Sequence, residues 1–538
     1  MAKKPSKKDE SKAEDSSSSI SDSAKELLKL DALYKKKYGT TDSITRDFYR
    51  KHTKLPFEKW KEEGYKTFTD FKRAILIPEE KDEVLTRETL TPIAKSGIEV
   101  AKKKTYLITY AIEGDILHSG VYKAFQTYMD KHNAELVVLP GRPVHDFESG
   151  YDPEIVRFQH YFATEYKFNN SVKCLEMKLH PRLTNPLTGL EGFGKESSLI
   201  IGHPKIQFRS TEVPIGSDPH MLQSTGAITR GTTYGDVRTG RISKMKHKLG
   251  ATILEIVDSE KFHMRHIEFN ETTSSFCDLN TEYFSNGKTK TVSGDFYIGD
   301  YHSGYTDPQA LKATYEMINY MKSLRVFGGD WFDATSISHH HENRMHAQLL
   351  REEKINTLEK ELDLLANNIK DFVTSCPAIT LHIIKGNHEE HLDRYLDERR
   401  YKDDRVNYRL AIQLESYYLQ GYNPIEKYVF EKYPELRERV KFLGRMDSIK
   451  IGGVENALHG DEPRGGTKML SKTYGKGNFG HGHYGEIYND VYRSGVLTSY
   501  NLPYIKSSYS KWTRTNILNF STGQRQLIHI LGQNWKMD

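Results

Sequence analysis

Between residues 294 and 483 the sequence repeats one local pattern five times. A short apolar run ends at or beside a glycine, and a carboxylate, an amide or a histidine follows at once. The stretches are FYIGDYH, VFGGDWFD, IIKGNHE, ALHGD and NFGHGH. Apolar runs of this length bounded by glycine read as buried strands, and glycine lets the backbone turn sharply where each strand ends. Five strands therefore deliver polar side chains to their tips. Asp300 and His302 lie two residues apart, as do His481 and His483, and that spacing on extended chain points both side chains to the same side. The other tips carry Asp330 with Asp333, Asn387 with His388 and Glu389, and His459. One such loop would be ordinary structure, whereas five in chain order describe strand ends that converge on one centre. Helical stretches separate the first three strands, at 308–323 and in ENRMHAQLLREEKINTLEKELDLLANNIKDFV, which reads as one long amphipathic helix. The region is α/β.

The five blocks in this order resemble the calcineurin-like metallophosphoesterases, whose signature is D-x-H, GD-x-x-D, GNH(D/E), H and GH-x-H. The resemblance covers about residues 294–500. It implies a four-layer α/β/β/α sandwich and two metals at the C-terminal ends of the strands. Asp300, His302, Asp330 and His483 would hold the first metal. Asp330, Asn387, His459 and His481 would hold the second, with Asp330 bridging. His388 would act beside the metals as the general acid, and Asp333 and Glu389 would orient ligands. Carboxylates, an amide and imidazoles without a thiolate suit Mn²⁺, the expected metal, and also Fe or Zn²⁺. Two such cations activate a water and clamp a phosphodiester for in-line attack.

The chain has 538 residues, which implies two or three domains. Residues 1–22 are almost all Lys, Ser, Asp and Glu and read as a disordered tail. Residues 23–80 read as a small helical unit with a helix-turn-helix look, in which Arg46, Arg50, Lys51 and Lys54 are candidate DNA contacts. Between Asp31 and Arg73 there are 12 Lys/Arg against 7 Asp/Glu. Residues 101–290 read as an α/β domain of unknown role, with strands in TYLITYAI, AELVVLP, SLIIGHP and ATILEIV. Its GDILH (Asp115, His118) superficially echoes a metal loop but lacks downstream partners, so a scaffold role is expected. STGAITRGTTYGDVRTGR (224–241) reads as a long loop facing a partner. Residues 291–538 form the phosphoesterase-like domain, with a helical insertion at 391–440.

Other features narrow the class. The net charge is only +5, so any nucleic-acid surface must be local. Cys174, Cys277 and Cys376 match no zinc or redox spacing and read as buried fillers. No apolar run is long enough to span a membrane, and the N-terminus lacks the apolar core of a secretory signal. The expected setting is cytoplasmic.

Three substrates or roles fit the site: DNA, cleaved by a nuclease; a phosphoprotein or small phosphodiester; or, with a dead site, DNA merely bound by a scaffold. The basic helical unit, the Tyr- and Arg-rich insertion and PRGGTK, which places Arg464 just after His459, favour DNA. The overall layout also resembles the pre-early nuclease-type proteins of large tailed phages. That resemblance implies degradation of host DNA in the host cytoplasm. The related repair nucleases act as dimers, so a homo-oligomer is compatible.

Overall fold

The computed structural model describes residues 21–38, 44, 46–56, 58–65, 68–76, 103–144, 150–158, 165–339, 345–500 and 507–537. The tail expected over 1–22 lies outside these residues up to 20, and Asp22 already opens a helix. The chain divides into two units, Met1–Val84 and Leu85–Asp538.

The first unit holds helices Asp22–Tyr38, Arg46–His52, Lys59–Glu62 and Phe68–Leu76. Leu27, Leu30 and Tyr34 recur at helical spacing and are buried with Phe48, Tyr49, Trp60 and Phe71, while Leu28 and Leu33 face solvent. A buried Asp31 carboxylate accepts the Ile44 amide at 2.6 Å and pairs with Lys35 at 2.8 Å, which fixes the turn between the first two helices. Arg50, Lys51 and Lys54 are exposed and Arg46 is half-buried.

In the second unit a six-stranded sheet has the order Val440–Leu443, Thr380–Ile384, Arg325–Gly329, Asp295–Tyr297, Thr515–Asn519, Arg525–His529. Its first four strands run parallel and its last two form an antiparallel hairpin. Side chains alternate between its faces, as strand geometry requires. Phe296, Val326, Ile383, Leu518 and Ile528 pack against helices Pro308–Tyr320 and Leu358–Ser375. Their chain neighbours Tyr297, Phe327, Ile384, Ile517 and Leu527 turn the other way, into a second core with Phe208, Ile451, Ile487 and Tyr492. Those partners belong to or adjoin a ten-stranded sheet running from Lys450–Ile451 at one edge to Glu165–Lys167 at the other. The unit is mixed α/β, with helices on one face of the six-stranded sheet and β-structure on the other.

The four strands expected in the middle region form at Lys104–Ala111, Glu135–Pro140, Ser198–Ile201 and Gly250–Ile256. The boundary expected at 290 does not divide the sheets. Ile487 pairs with Phe208, so strands from 165–224 and 450–493 share one sheet. The long helix expected over 342–373 is instead two, Met345–Glu352 and Leu358–Ser375. Lys354 has φ 56°, and the Thr357 hydroxyl accepts the Lys360 amide as a new N-cap, which starts a second helix rather than continuing the first. The first half of the segment 224–241, expected as a loop facing a partner, turns inward, whereas Val237, Arg238, Thr239 and Arg241 at its other end are exposed, the last three on the helix Arg238–Met245. Most of residues 224–232 are buried, because the Asp115 carboxylate inside the fold accepts the amides of Gly231 and Thr232 and the Thr232 hydroxyl. GDILH is thus scaffold, and His118 caps the helix Ser119–His132 through Nδ1.

Candidate metal centre

The parallel strands Asp295–Tyr297, Arg325–Gly329 and Thr380–Ile384 deliver Asp300, Asp330 and Asn387 just beyond their C-terminal ends, where open parallel sheets commonly bind ligands. His459 follows Val454–Glu455, and His481 and His483 follow Gly477–Phe479, on the ten-stranded sheet. The two facing sheets therefore supply opposite halves of one site.

Ligand-type atoms of Asp300, His302, Asp330 and His483 lie within 4.8 Å of one another, as do those of Asp330, His459 and His481, so the two sets share Asp330. Asn387 joins the second set, with its Oδ1 2.9 Å from His481 Nδ1. In the first set, His302 Nε2 and His483 Nε2 face each other at 3.2 Å, and Asp300 Oδ2 is 3.4 Å from His483 Nε2. In the second, Asp330 Oδ2 is 3.0 Å from His459 Nε2.

The backbone bends hard to achieve this. His302, Asp330, His481 and His483 hold φ of 47°, 47°, 64° and 59°, in a left-handed region that costs a non-glycine residue about 1–3 kcal/mol. The glycines make room. A Cβ at Gly386 would collide with the Asp330 carboxylate, and one at Gly480 with that of Asp300.

The electrostatics fit cations. Among the described residues, Asp300 Oδ1 and Oδ2 and His459 Nδ1 are buried without a hydrogen-bond partner, and Asp330 Oδ2 meets only His459 Nε2. Leaving such groups uncompensated is costly. Burial pushes the Asp300 carboxyl up to about 8, with Asp330 adding repulsion. Burial also opposes ionisation of Asp330, yet the adjacent His459 ring holds its carboxyl below the usual range. For His459, burial is outweighed by Asp330, which lifts the ring to about 9. Burial and then His459 lower His481 to about 4, so that ring is neutral and able to ligate. A divalent cation among these carboxylates and imidazoles would take the place of the His459 proton and compensate the buried carboxylates, and the donor set is one that such cations take.

A shell of contacts orients the ligands. Asp333 Oδ1 receives His302 Nδ1–H at 2.9 Å, which leaves Nε2 as the atom that could ligate a cation. The Asp333 carbonyl receives His388 Nδ1–H at 3.0 Å. Glu389 accepts the amides of Trp331 at 2.8 Å, Phe332 at 3.2 Å and Gly386 at 2.9 Å, strapping two ligand loops together. Tyr301 stacks on Trp331, with centroids 4.0 Å apart. His388 borders both the first set, with its ring 4.7 Å from that of His302, and a cleft of about 910 Å³ that reaches Lys385, Arg394 and Arg464. Arg464 is nearly fully exposed and pairs loosely with Glu462 at 3.6 Å. His339 of the tract His339–His341 lines the cleft too; His340 and His341 lie outside the described residues.

Three residues outside the repeated pattern also shape the site. Arg445 bridges Glu390 at 2.7 Å and Asp461 at 2.6 Å. The buried Arg493 donates to the Gly460 carbonyl at 3.2 Å. Trp512 packs edge-on against His483, with centroids 4.4 Å apart. No motif marks them.

With this geometry in hand, comparison with known proteins adds one relative. The chain is similar to Protein A1 of Escherichia phage T5, at 28% identity over 471 residues, covering 80% of this chain and 82% of that protein. It thus resembles a phage protein over most of its length. No protein-family model matches the chain, and no solved structure does. Among the described residues no helix is long and apolar enough to cross a membrane.

Proposed function

We propose that the chain is a metal-dependent phosphodiesterase that cleaves DNA, built on the four-layer sandwich of the calcineurin-like metallophosphoesterases and working with Mn²⁺. The observation that carries this reading is the pair of ligand sets sharing Asp330 beside His388. Asp300, His302, Asp330 and His483 would hold one cation, and Asp330, Asn387, His459 and His481 the other. Divalent cations held there would supply Lewis-acid charge to the phosphate and lower the pKa of a bound water.

The protein's own side chains do the rest. His388 is tied through Nδ1 to the Asp333 carbonyl, so Nε2 is the atom able to hand a proton to the leaving oxygen. Asp333 sets the His302 tautomer, and Glu389 holds the two loops that carry Asp330 and Asn387 in one register. Lys385, Arg394 and Arg464 place cations along the cleft, where a phosphodiester backbone would lie. DNA as substrate is supported by the exposed cations Arg50, Lys51 and Lys54 with Arg46 on the N-terminal unit. Similarity to a phage protein supports host DNA, met in the host cytoplasm, as the target, and the resemblance to dimeric repair nucleases extends the proposal to a homo-oligomer.

The test is incubation of purified protein with linear and circular duplex DNA, a phosphopeptide and a nitrophenyl diester, under Mn²⁺, Mg²⁺ or EDTA. DNA cleavage that EDTA stops and Asp330→Ala abolishes is the expected result. Turnover of the phosphopeptide alone would make the chain a phosphoprotein phosphatase. Turnover of the diester alone would make it a small-molecule phosphodiesterase. DNA binding without any hydrolysis would make it a scaffold.

A further inference from the structure

The wall of the metal centre opposite His388 is aromatic. The rings of His388, His302, His483 and Trp512 form a row with successive centroids 4.7, 5.0 and 4.4 Å apart. Trp512 thus stands one ring beyond a ligand of the first set. Trp60, Trp331 and Trp535 are buried, whereas Trp512 is half-buried. Its neighbour Lys511 sits 3.8 Å over the ring of Tyr484, the residue that follows His483, and the Arg493 guanidinium lies 5.7 Å from the same ring.

Beside them is a hollow of about 350 Å³. It is lined by Tyr484, Lys511, Arg209 and Lys195 together with Glu191, Glu212 and Glu486, and Arg209 pairs with Glu191 at 3.6 Å and Glu486 at 3.9 Å. The segment is anchored, because Ser210 donates to the Lys511 carbonyl at 2.7 Å and Tyr509–Ser510 pairs with Val213–Pro214. A firmly held indole and phenol, interleaved with cations, is the arrangement that binds exposed bases by stacking while the cations follow the backbone.

We propose that Trp512, flanked by Tyr484 and Lys511, is a stacking platform for the nucleobase next to the scissile phosphate, so that the substrate is a DNA strand unpaired at that position: a single strand, a frayed end or a gap. This rests on the reading of the centre as a DNA phosphodiesterase and names the form of DNA it takes. Bases inside an intact duplex have both faces covered and cannot reach such a platform; an unpaired base can.

The experiment titrates full-length protein with a hydrolysis-resistant phosphorothioate oligonucleotide. It is single-stranded and either complete or abasic at one position, and wild type is compared with Trp512→Ala. Tryptophan fluorescence of wild type against Trp512→Phe isolates the Trp512 signal. The expected result is quenching of Trp512 by the complete strand, about tenfold weaker binding of the abasic strand by wild type, and no such difference in Trp512→Ala. On cleavable DNA, the preference of wild type for single-stranded over blunt duplex substrate should shrink in the same variant. Equal weakening of both strands by Trp512→Ala would assign the indole to packing against His483 and overturn the platform, while leaving the phosphodiesterase reading intact. Failure of wild type to bind or cut any oligonucleotide, with the nitrophenyl diester still hydrolysed, would overturn the DNA reading and the platform with it. Metal content of Trp512→Ala, compared with wild type, reports whether its ligand set survives.

Discussion

Arg445 offers a strong test of how the site is held together. It follows the parallel strand Val440–Leu443 and grips Glu390 at 2.7 Å and Asp461 at 2.6 Å. Glu390 lies two residues beyond His388, and Asp461 two residues beyond His459. One guanidinium therefore ties the loop of the proposed acid to the loop of a proposed metal ligand on the facing sheet. Burial opposes its charge, but Asp461 and Glu390 hold it charged well beyond an ordinary arginine.

Arg445→Met removes two charge-assisted hydrogen bonds, each worth about 1.5–3 kcal/mol when buried. The side chain keeps 29% of its exposure, and water screens part of that, so the expected loss of stability is about 2 kcal/mol. Domains are stable by about 5–15 kcal/mol, so the variant stays folded. Turnover should suffer more, because a displacement of about 1 Å between reacting groups can cost about 100-fold. The expected result is a drop of about 10- to 100-fold in kcat on the nitrophenyl diester at saturating Mn²⁺, with urea unfolding showing the small stability loss. Arg445→Lys should fall between, since an ammonium cannot fork to both carboxylates. A variant with the stability loss and full kcat would show that the clamp braces the fold without positioning the site, and would refute the reasoning.

Further expectations concern other parts of the chain. The buried Arg265 pairs with Glu255 at 2.8 Å and Asp278 at 2.5 Å, and Arg265→Met should cost about 3–5 kcal/mol by stranding both carboxylates, read by urea unfolding. Burial raises the Glu255 carboxyl, but Arg265 outweighs it and holds it at about 2 against an ordinary 4.5. Its contribution of about 3 kcal/mol is therefore complete above pH 4.5 and is lost as pH falls toward 2, so the acid-side loss of stability should be shallower in Arg265→Met. Asp333→Ala, which frees His302 Nδ1, should weaken metal binding about 10- to 100-fold by calorimetry, and unchanged affinity would remove Asp333 from that role. Replacing Arg46, Arg50, Lys51 and Lys54 by alanine should weaken DNA binding and flatten its salt dependence by about 0.9 log unit per lost phosphate contact; an identical slope would clear the N-terminal unit as a DNA reader.

The convergence of Asp300, Asp330, Asn387 and His481 was legible in the sequence because its pattern is local. Each of Asp300, Asp330, Asn387 and His481 follows an apolar run and a glycine, and the need for close approach put those glycines there. What joins distant segments left no such trace. The pairing of Ile487 with Phe208 depends on which sheet edges meet, and neither strand announces its partner. Arg445 and Trp512 act through residues far away in sequence, so no spacing reveals them. In the segment 224–241, whose Gly, Thr and Arg content suits a surface loop, a single buried carboxylate, Asp115, folds the first half inward, while Val237, Arg238, Thr239 and Arg241 are exposed. The break in the expected long helix came from Thr357, whose capping hydrogen bond competes locally with helix continuation.

The central claim is that two cations share Asp330, and counting bound metal tests it most directly. Native mass spectrometry of the full chain loaded with Mn²⁺ should find two ions per chain in the wild type and a loss of both in Asp330→Ala. A wild type that holds no ion, or an Asp330→Ala chain that still holds two, would contradict it.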